Sequence, residues 1–405
     1  MNKIVVGYAL GIIKEGNSML QKTIRLYDLD AYQTEFEAVV VSCEKKEEGY
    51  EIVLDKTLFF PEEGGQTPDM GTIDGIEVSD VQIKDGVIFH TMKREVSVGK
   101  NVTGKIDWTH RFYNMQQHSG EHIFSGLVNR HFGYNNVGFH LSNQIVTMDF
   151  DGVLSEEDVE KIEWEVNEVI SKNLPIEVSF PSSEQLAGMQ YRSKIEIEGE
   201  VRIVTIPGYD VCACCAPHVK RTGEIGMLKV MSIQNYKGGV RISILCGFRA
   251  LKAFTEKSKI VSELITMFSA KQENLLEQIG KMKENNQELK GMVASCKRDL
   301  MEYKMNHLNP DETNVVLFEA DLDSAVVRNT VNELMERHEG ICAVFSGTEK
   351  NGYQFVLGSK NVDCSVVAKS FREKYDIKCG GKERMIQGTV NKNKNEIVEM
   401  LQEIW

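Results

Sequence analysis

"HRFYNMQQHSGEHIFSGLVNRHFG", residues 110–133, decides how the rest of the chain is read. Met115, His118, His122, Phe124, Ser125 and Leu127 fall at helix-compatible spacings, which predicts a helix opening at Asp107. Residues four apart share a helix face, so the imidazoles of His118 and His122 emerge side by side, where one metal ion could take both. An i,i+4 histidine pair also occurs by chance. It gains weight only with a second set of ligands.

That second set lies in "CACCAPHVKRTGEIG", residues 212–226. Cys214 and His218 are again four apart, and two short ligand pairs on separate elements are how proteins build a closed or nearly closed zinc site. One thiolate and three imidazoles suit Zn2+. Cys212 and Cys215 compete with Cys214 as the thiolate, and spacing does not separate them. The same letters have another reading, because H-x-x-E-H is the zinc signature of the inverzincin metalloproteases. On that reading Glu121 activates the attacking water and a downstream glutamate such as Glu196 completes the ligands. It leaves Cys214 and His218 unexplained.

Composition narrows the setting. The chain has 405 residues, 41% hydrophobic and 26% charged, which is ordinary for a globular protein of two or three domains. No run approaches the roughly 18 consecutive apolar residues of a membrane span. "IVVGYALGII" after Lys3 is broken at once by Lys14 and Glu15 and has no A-x-A-type cleavage site, so residues 1–18 read as an upstream extension and the protein as cytoplasmic. The cysteines number nine, three of them crowded into "CACC", which predicts no disulfide partners. A net charge of −13 excludes a generic nucleic-acid coat and requires any RNA contact to be local.

Outward from the histidine helix, the expected class is α+β. Residues 19–106 carry short alternating runs such as "EFEAVVVS" and "DGVIFHTM" between Gly and Asp turns, a small β-barrel-like N-terminal module. Within it "TLFFPEEGGQTPDMGTI" is a tight loop whose glycines read as turn geometry. Residues 107–252 form an α+β zinc-containing core, with a second helix capped by Ser155. Residues 253–309 form a coiled-coil-like segment, since apolar or neutral residues recur at an unbroken 4,3,4,3 spacing from Val261 to Tyr303 with Gln272 and Asn286 as polar seam positions. An antiparallel hairpin interrupted at Gly280 or Gly291 is the alternative. Residues 310–405 read as a mixed α/β domain in which "CGGKERMIQGTV" is a loop, with Lys382, Arg384, Lys392 and Lys394 as a local basic patch.

"HSGEHIFSG", then "CCAPHVKRTGEIG", with "FFPEEGGQTPDMGTI" upstream, resembles the freestanding alanyl-tRNA editing proteins and the editing half of alanyl-tRNA synthetase, whose motifs are HxxxH, CxxxH and a Gly-Gly-Gln loop. "CGGKERMIQG" resembles the DHH-associated domain that closes the long-form editing proteins. The likeness covers residues 19–405. Two departures stand out: Glu63 where the family has glycine, and C-C-A-P-H where it has C-G-G-T-H.

The resemblance implies a zinc-dependent, ATP-independent aminoacyl-tRNA deacylase acting on misacylated tRNA(Ala), chiefly Ser-tRNA(Ala) and secondarily Gly-tRNA(Ala). His118, His122, Cys214 and His218 would hold the metal. Thr57, Gly64, Gly65 and Gln66 would line the substrate pocket, and Glu121 would be structural. The four C-terminal cations would grip tRNA, and residues 256–308 would pair two chains. A complete synthetase is not expected, because no segment before residue 19 could house an aminoacylation domain and no P-loop occurs. A non-catalytic zinc-stabilised RNA-binding module is the remaining alternative.

Overall fold

The computed structural model describes residues 12–15, 18–47, 49–193 and 201–404. Glu196 and the start of the strand expected from residue 196 lie outside them. The architecture is mixed α+β, and the chain divides into two compact units, Met1–Ser262 and Glu263–Trp405. Residues Ile12–Glu15, inside the expected extension, pair as a hairpin with Ser18–Gln21.

In the first unit six antiparallel strands pair in a ring. The order is Asn101–Ile106, Glu35–Lys46, Gly49–Leu54, Val87–Met92, Ile76–Lys84 and Gly71–Ile73, and the last pairs back onto the first. Alternation drives this: along Glu35–Lys46 the residues Phe36, Ala38 and Val40 point inward while their neighbours face out. Asp74-Gly75 and Asp85-Gly86 close two tight hairpins with all four residues at positive φ, the backbone that a type I′ two-residue turn demands.

The helix Trp108–Phe132 is capped by Asp107, whose side chain accepts from the His110 N–H. Every residue from Asn114 to Val128 is buried, polar letters included. The helix packs on a four-stranded antiparallel sheet, Asn136–Leu141, Val146–Phe150, Gly239–Cys246 and Leu228–Tyr236, joined by the helix Glu156–Ser171, whose Ser155 forms the expected cap. Gly120 sits in the tightest part of this packing; a Cβ there would meet the Cys246 sulfur at 2.4 Å.

One buried ion pair ties the histidine helix to the ring. Arg111, fully buried, grips the Asp69 carboxylate and donates to the carbonyls of Leu58 (2.6 Å) and Ala31 (3.0 Å), while Asp69 also accepts from the Phe60 N–H at 2.7 Å. The Gly-Gly-Gln loop hangs from this strut. Its other side pairs with the sheet edge, since the Leu141 N–H donates to the Gly65 carbonyl at 2.7 Å and the Thr67 N–H to the Leu141 carbonyl at 3.2 Å. Gly65 must be glycine there: its φ is +83°, and a Cβ would lie 2.3 Å from the Phe139 oxygen.

The helix Gly247–Phe268 ends where Ser269 takes a φ of +48°, and a second helix starts only at Leu275 and runs to Asn306. The unbroken helix expected across this stretch is therefore corrected: the break falls at residues 269–274, not at Gly280 or Gly291, both of which are helical. The second unit carries a five-stranded sheet, Val315–Glu319, Cys342–Thr348, Gly352–Gly358, Met385–Val390 and Lys378–Lys382, with the first pair parallel. The expected loop at residues 379–390 is in fact a hairpin, Lys378–Lys382 against Met385–Val390.

Candidate metal centre

Four side chains from two elements converge in the first unit. His118 and His122 come from the buried helix. Cys214 and His218 come from the loop after the strand Asp210–Ala213. Their ligand-type atoms lie within 4.8 Å of one another, and Cys214 touches both the ring's core and the helix–sheet core, so the cluster sits at the junction of the two. The Cys214 Sγ is 3.5 Å from His118 Nε2 and 3.4 Å from His218 Nε2.

Each imidazole is held from behind. His118 Nδ1 pairs with Gln66 Oε1 at 2.7 Å, His122 Nδ1 with Asp210 Oδ2 at 2.9 Å, and His218 Nδ1 with Ser119 Oγ at 3.1 Å. The Gln66 and Asp210 oxygens only accept, so they fix the proton of His118 and His122 at Nδ1 and leave Nε2 bare, the tautomer a metal ligand needs; the Ser119 hydroxyl can accept from His218 Nδ1 in the same way. Tetrahedral zinc with ordinary bond lengths separates a sulfur ligand from a nitrogen ligand by ~3.6 Å. The donor set, the spacing and the tautomers fit that ion.

The electrostatics separate the three adjacent thiols. Burial pushes Cys214 up, but the neighbouring His118 and His218 outweigh it and hold the thiol well below its ordinary range. Burial pushes Cys212 up to about 11, and burial together with Cys214 raises Cys215 well above the usual thiol range. Only the Cys214 sulfur also lies against two imidazole Nε2 atoms, so geometry and electrostatics favour the same thiol. A second group, His122, Asp210 and Cys212, is also close enough to share an ion.

The remaining expected residues divide. Gln66 is buried, its Oε1 faces His118, and its amide Nε2 has no hydrogen-bond partner among the described residues. Thr57 lies in the core of the ring. Its hydroxyl pairs with His90 Nε2 at 2.9 Å and accepts from the Phe59 N–H, while His90 Nδ1–H donates to the Ile52 carbonyl. That tautomer makes Thr57 the donor to His90. Gly64 and Gly65 are exposed, with Gly64 beside the Cys215 sulfur. Glu121 is buried, with Oε1 accepting from Ser125 Oγ and Asn136 Nδ2, both at 2.6 Å, and Oε2 lying 3.9 Å from His122 Nε2. In the second unit Lys382 ends a strand and Arg384 lies in the hairpin turn that follows it, whereas Lys392 and Lys394 lie beyond the far end of the strand Met385–Val390, roughly 20 Å away at ~3.4 Å per residue. The four cations expected as one patch therefore form two pairs.

Asp210, Ser119 and Arg111 carried no motif. Asp210 and Ser119 act only through the fold, 88 and 99 residues from the histidines they hold. The one sequence signal was the density of polar letters, "NMQQHSGEH", on a helix flanked by apolar ones.

Comparison with known proteins follows this division. Residues 19–110 match the class II (A) tRNA synthetase family, residues 201–243 the threonyl and alanyl tRNA synthetase second additional domain, and residues 311–405 the DHHA1 domain. The alanyl-tRNA editing protein AlaX-L of Pyrococcus horikoshii is 28% identical over 396 residues, covering 93% of this chain and 96% of that protein. The alanyl-tRNA editing protein Aarsd1 of Rattus norvegicus is 28% identical over 399 residues, covering 92% and 96%. The alanine–tRNA ligase of Ignicoccus hospitalis is 32% identical over 292 residues, which are 69% of this chain and 32% of the ligase. Among solved structures, the C-Ala domain of Aquifex aeolicus alanyl-tRNA synthetase aligns with 22% identity and a TM-score of 0.21, over 23% of this chain and 91% of that one. By the order of its matched segments and the span of its relatives, the chain resembles the freestanding, long-form alanyl-tRNA editing proteins.

Proposed function

We propose that this protein is a trans-editing hydrolase that deacylates misacylated tRNA(Ala), Ser-tRNA(Ala) first and Gly-tRNA(Ala) second, at a zinc-centred site. The observation that carries the proposal is the convergence of His118, His122, Cys214 and His218 with all three Nδ1 atoms committed elsewhere, in a chain whose relatives of equal length are named alanyl-tRNA editing proteins. When bound, the metal supplies Lewis-acid polarisation and a fixed anchor for the substrate.

The chain's own residues do the rest. The aminoacyl ester is already reactive toward water, so the site's main task is positioning. Gln66 orients His118 through Oε1 and offers its unpartnered amide N–H to the side-chain hydroxyl oxygen of a seryl substrate. A buried donor without a partner favours the substrate that supplies an oxygen, which separates serine from alanine. Thr57 stands behind this loop with its hydrogen given to His90, leaving its oxygen as acceptor. Gly64 and Gly65 let the terminal ribose approach the backbone. Glu121 braces Ser125 and Asn136.

In the same reading, residues 19–106 and 107–252 form the editing half, residues 310–405 grip tRNA through Lys382 and Arg384 with Lys392 and Lys394 as a separate contact, and residues 256–308 pair two chains in the cytoplasm. Within the helix Leu275–Asn306 the seam has Ile279, Asn286, Val293 and Leu300 at one core position and Leu275, Met282, Leu289, Cys296 and Tyr303 at the other. Ile279, Asn286 and Val293 at the first position with Leu275 and Leu289 at the second follow the pattern that favours two parallel strands. Lys283 and Lys290 agree, since antiparallel pairing would set them against each other. The enzymatic test is hydrolysis of Ser-tRNA(Ala) beside Ala-tRNA(Ala); turnover of neither by zinc-loaded protein defeats the proposal.

A further inference from the structure

Two groups of metal-type ligands overlap at one residue. His122 belongs to the Cys214 group through Nε2, and to the group with Asp210 and Cys212 through Nδ1. The second group is wholly buried, and it too offers an imidazole and a thiol, with a carboxylate as its third donor. Occupation of the second would replace the hydrogen bond that His122 Nδ1 donates to Asp210 and disturb the first. Something must decide between them.

Arg192 is placed to do so. Its Nε donates to Asp210 Oδ1 at 2.7 Å and its Nη2 to Asp210 Oδ2 at 2.8 Å, a two-pronged grip on a carboxylate that is itself almost wholly buried. Asp210 Oδ2 also accepts from His122 Nδ1. Both carboxylate oxygens are therefore engaged and their charge is matched by a guanidinium that stays protonated at any working pH. Arg192 is in turn pinned by its backbone, with its N–H on the Val211 carbonyl at 2.8 Å and its own carbonyl accepting from the Ala213 N–H at 2.9 Å, on either side of Cys212.

We infer that Arg192 is a positioning residue: by holding both Asp210 oxygens it keeps the His122–Asp210–Cys212 group closed to metal and commits His122 Nε2 to the Cys214 group. The inference rests on the reading that the Cys214 group binds metal. It adds that the choice of thiolate is enforced by an arginine that touches no ligand atom of that group. A thiophilic divalent cation is the ion the second group would take if released, because two of its three donors are imidazole and thiolate.

The test uses the full-length protein with cobalt(II) as the probe, read by metal stoichiometry and by the thiolate-to-cobalt charge-transfer band. The unaltered protein should take one cobalt with a band that Cys214→Ser removes and Cys212→Ser leaves. In Arg192→Met the band should acquire a component that only Cys212→Ser removes, and cobalt should bind on the order of 10–100-fold more weakly at the Cys214 group. Arg192→Lys, which keeps the cation but not the fork, should fall between. Should Arg192→Met fail to fold by circular dichroism, Asp210→Asn carries the question, because the amide still accepts from His122 but is a poor ligand: adding Arg192→Lys to it should then bring no dependence on Cys212. Folded Arg192→Met with the original spectrum and affinity, or dependence on Cys212 despite Asp210→Asn, overturns the inference. An unaltered protein that takes up no cobalt instead removes the metal reading beneath it.

Discussion

The two long helices of this protein invert each other. In Trp108–Phe132 the middle is full of polar letters and is buried on every side; in Leu275–Asn306 the seam is full of apolar letters, and only Leu275, Met301 and Met305 are buried. Leu289 is 61% exposed, whereas Glu121 is 1% exposed. Polar residues stay buried in the first helix because each finds a partner across the sequence: Gln117 with the Cys246 backbone, Ser119 with His218, Glu121 with Asn136. Apolar residues stay exposed in the second because their proposed partner is another chain. One helix is completed by its own fold; the other, on the proposed reading, by a second copy of the chain.

The largest expected effect lies in the first helix and the loop it faces. Cys214→Ala should abolish deacylation and lower metal content, while Cys212→Ala and Cys215→Ala leave both nearly unchanged; elemental analysis with full zinc in Cys214→Ala would break the ligand assignment. Next comes the strut beneath the Gly-Gly-Gln loop. Arg111→Leu leaves Asp69 as a buried, unpaired carboxylate and should cost about 3–5 kcal/mol of stability, read as a lowered denaturation midpoint. A loss under ~1 kcal/mol would mean that the pair contributes no more than a surface ion pair does.

The exposed helix gives the middle of the range. Leu289→Glu together with Val293→Glu should convert a dimer to a monomer in sedimentation without unfolding the metal centre. Under mild oxidation Cys296, a seam position, should crosslink two chains, because parallel pairing brings identical residues within the Cα separation of about 4.4–6.8 Å that a disulfide spans. A monomeric unaltered protein, or no Cys296 crosslink from a dimer, contradicts parallel pairing here.

Smaller effects sharpen the contrast. Glu121→Gln keeps an acceptor for Ser125 and Asn136 and should lower activity less than tenfold; a general base would lose roughly 10²–10⁴-fold with the metal in place. Lys382→Ala with Arg384→Ala should weaken tRNA binding and flatten its dependence on salt by about one counterion per charge, with no change in turnover at saturating tRNA.

Much of this was legible from spacing. The helix start at Asp107, the Ser155 cap, the alternation of the ring strands and the four metal-type residues all follow from local chemistry, which sequence records directly. The helix break at residues 269–274 was not, because heptad spacing continues through Gln272 while the backbone turns at Ser269. Nor were Asp210 and Arg192: an aspartate in "PGYD" reads as turn chemistry, and only folding brings it behind His122. The division of the four C-terminal cations was hidden for a related reason, since residues read as a loop proved to be an extended strand that carries the two pairs apart.

The most direct measurement of the central claim compares single-turnover hydrolysis of Ser-tRNA(Ala) and Ala-tRNA(Ala) by zinc-loaded protein, metal-stripped protein and Cys214→Ala. The account predicts rapid loss of serine from the first alone, with Ala-tRNA(Ala) spared and activity restored to the stripped protein by added zinc. Equal hydrolysis of both substrates, or undiminished activity in Cys214→Ala, would contradict it.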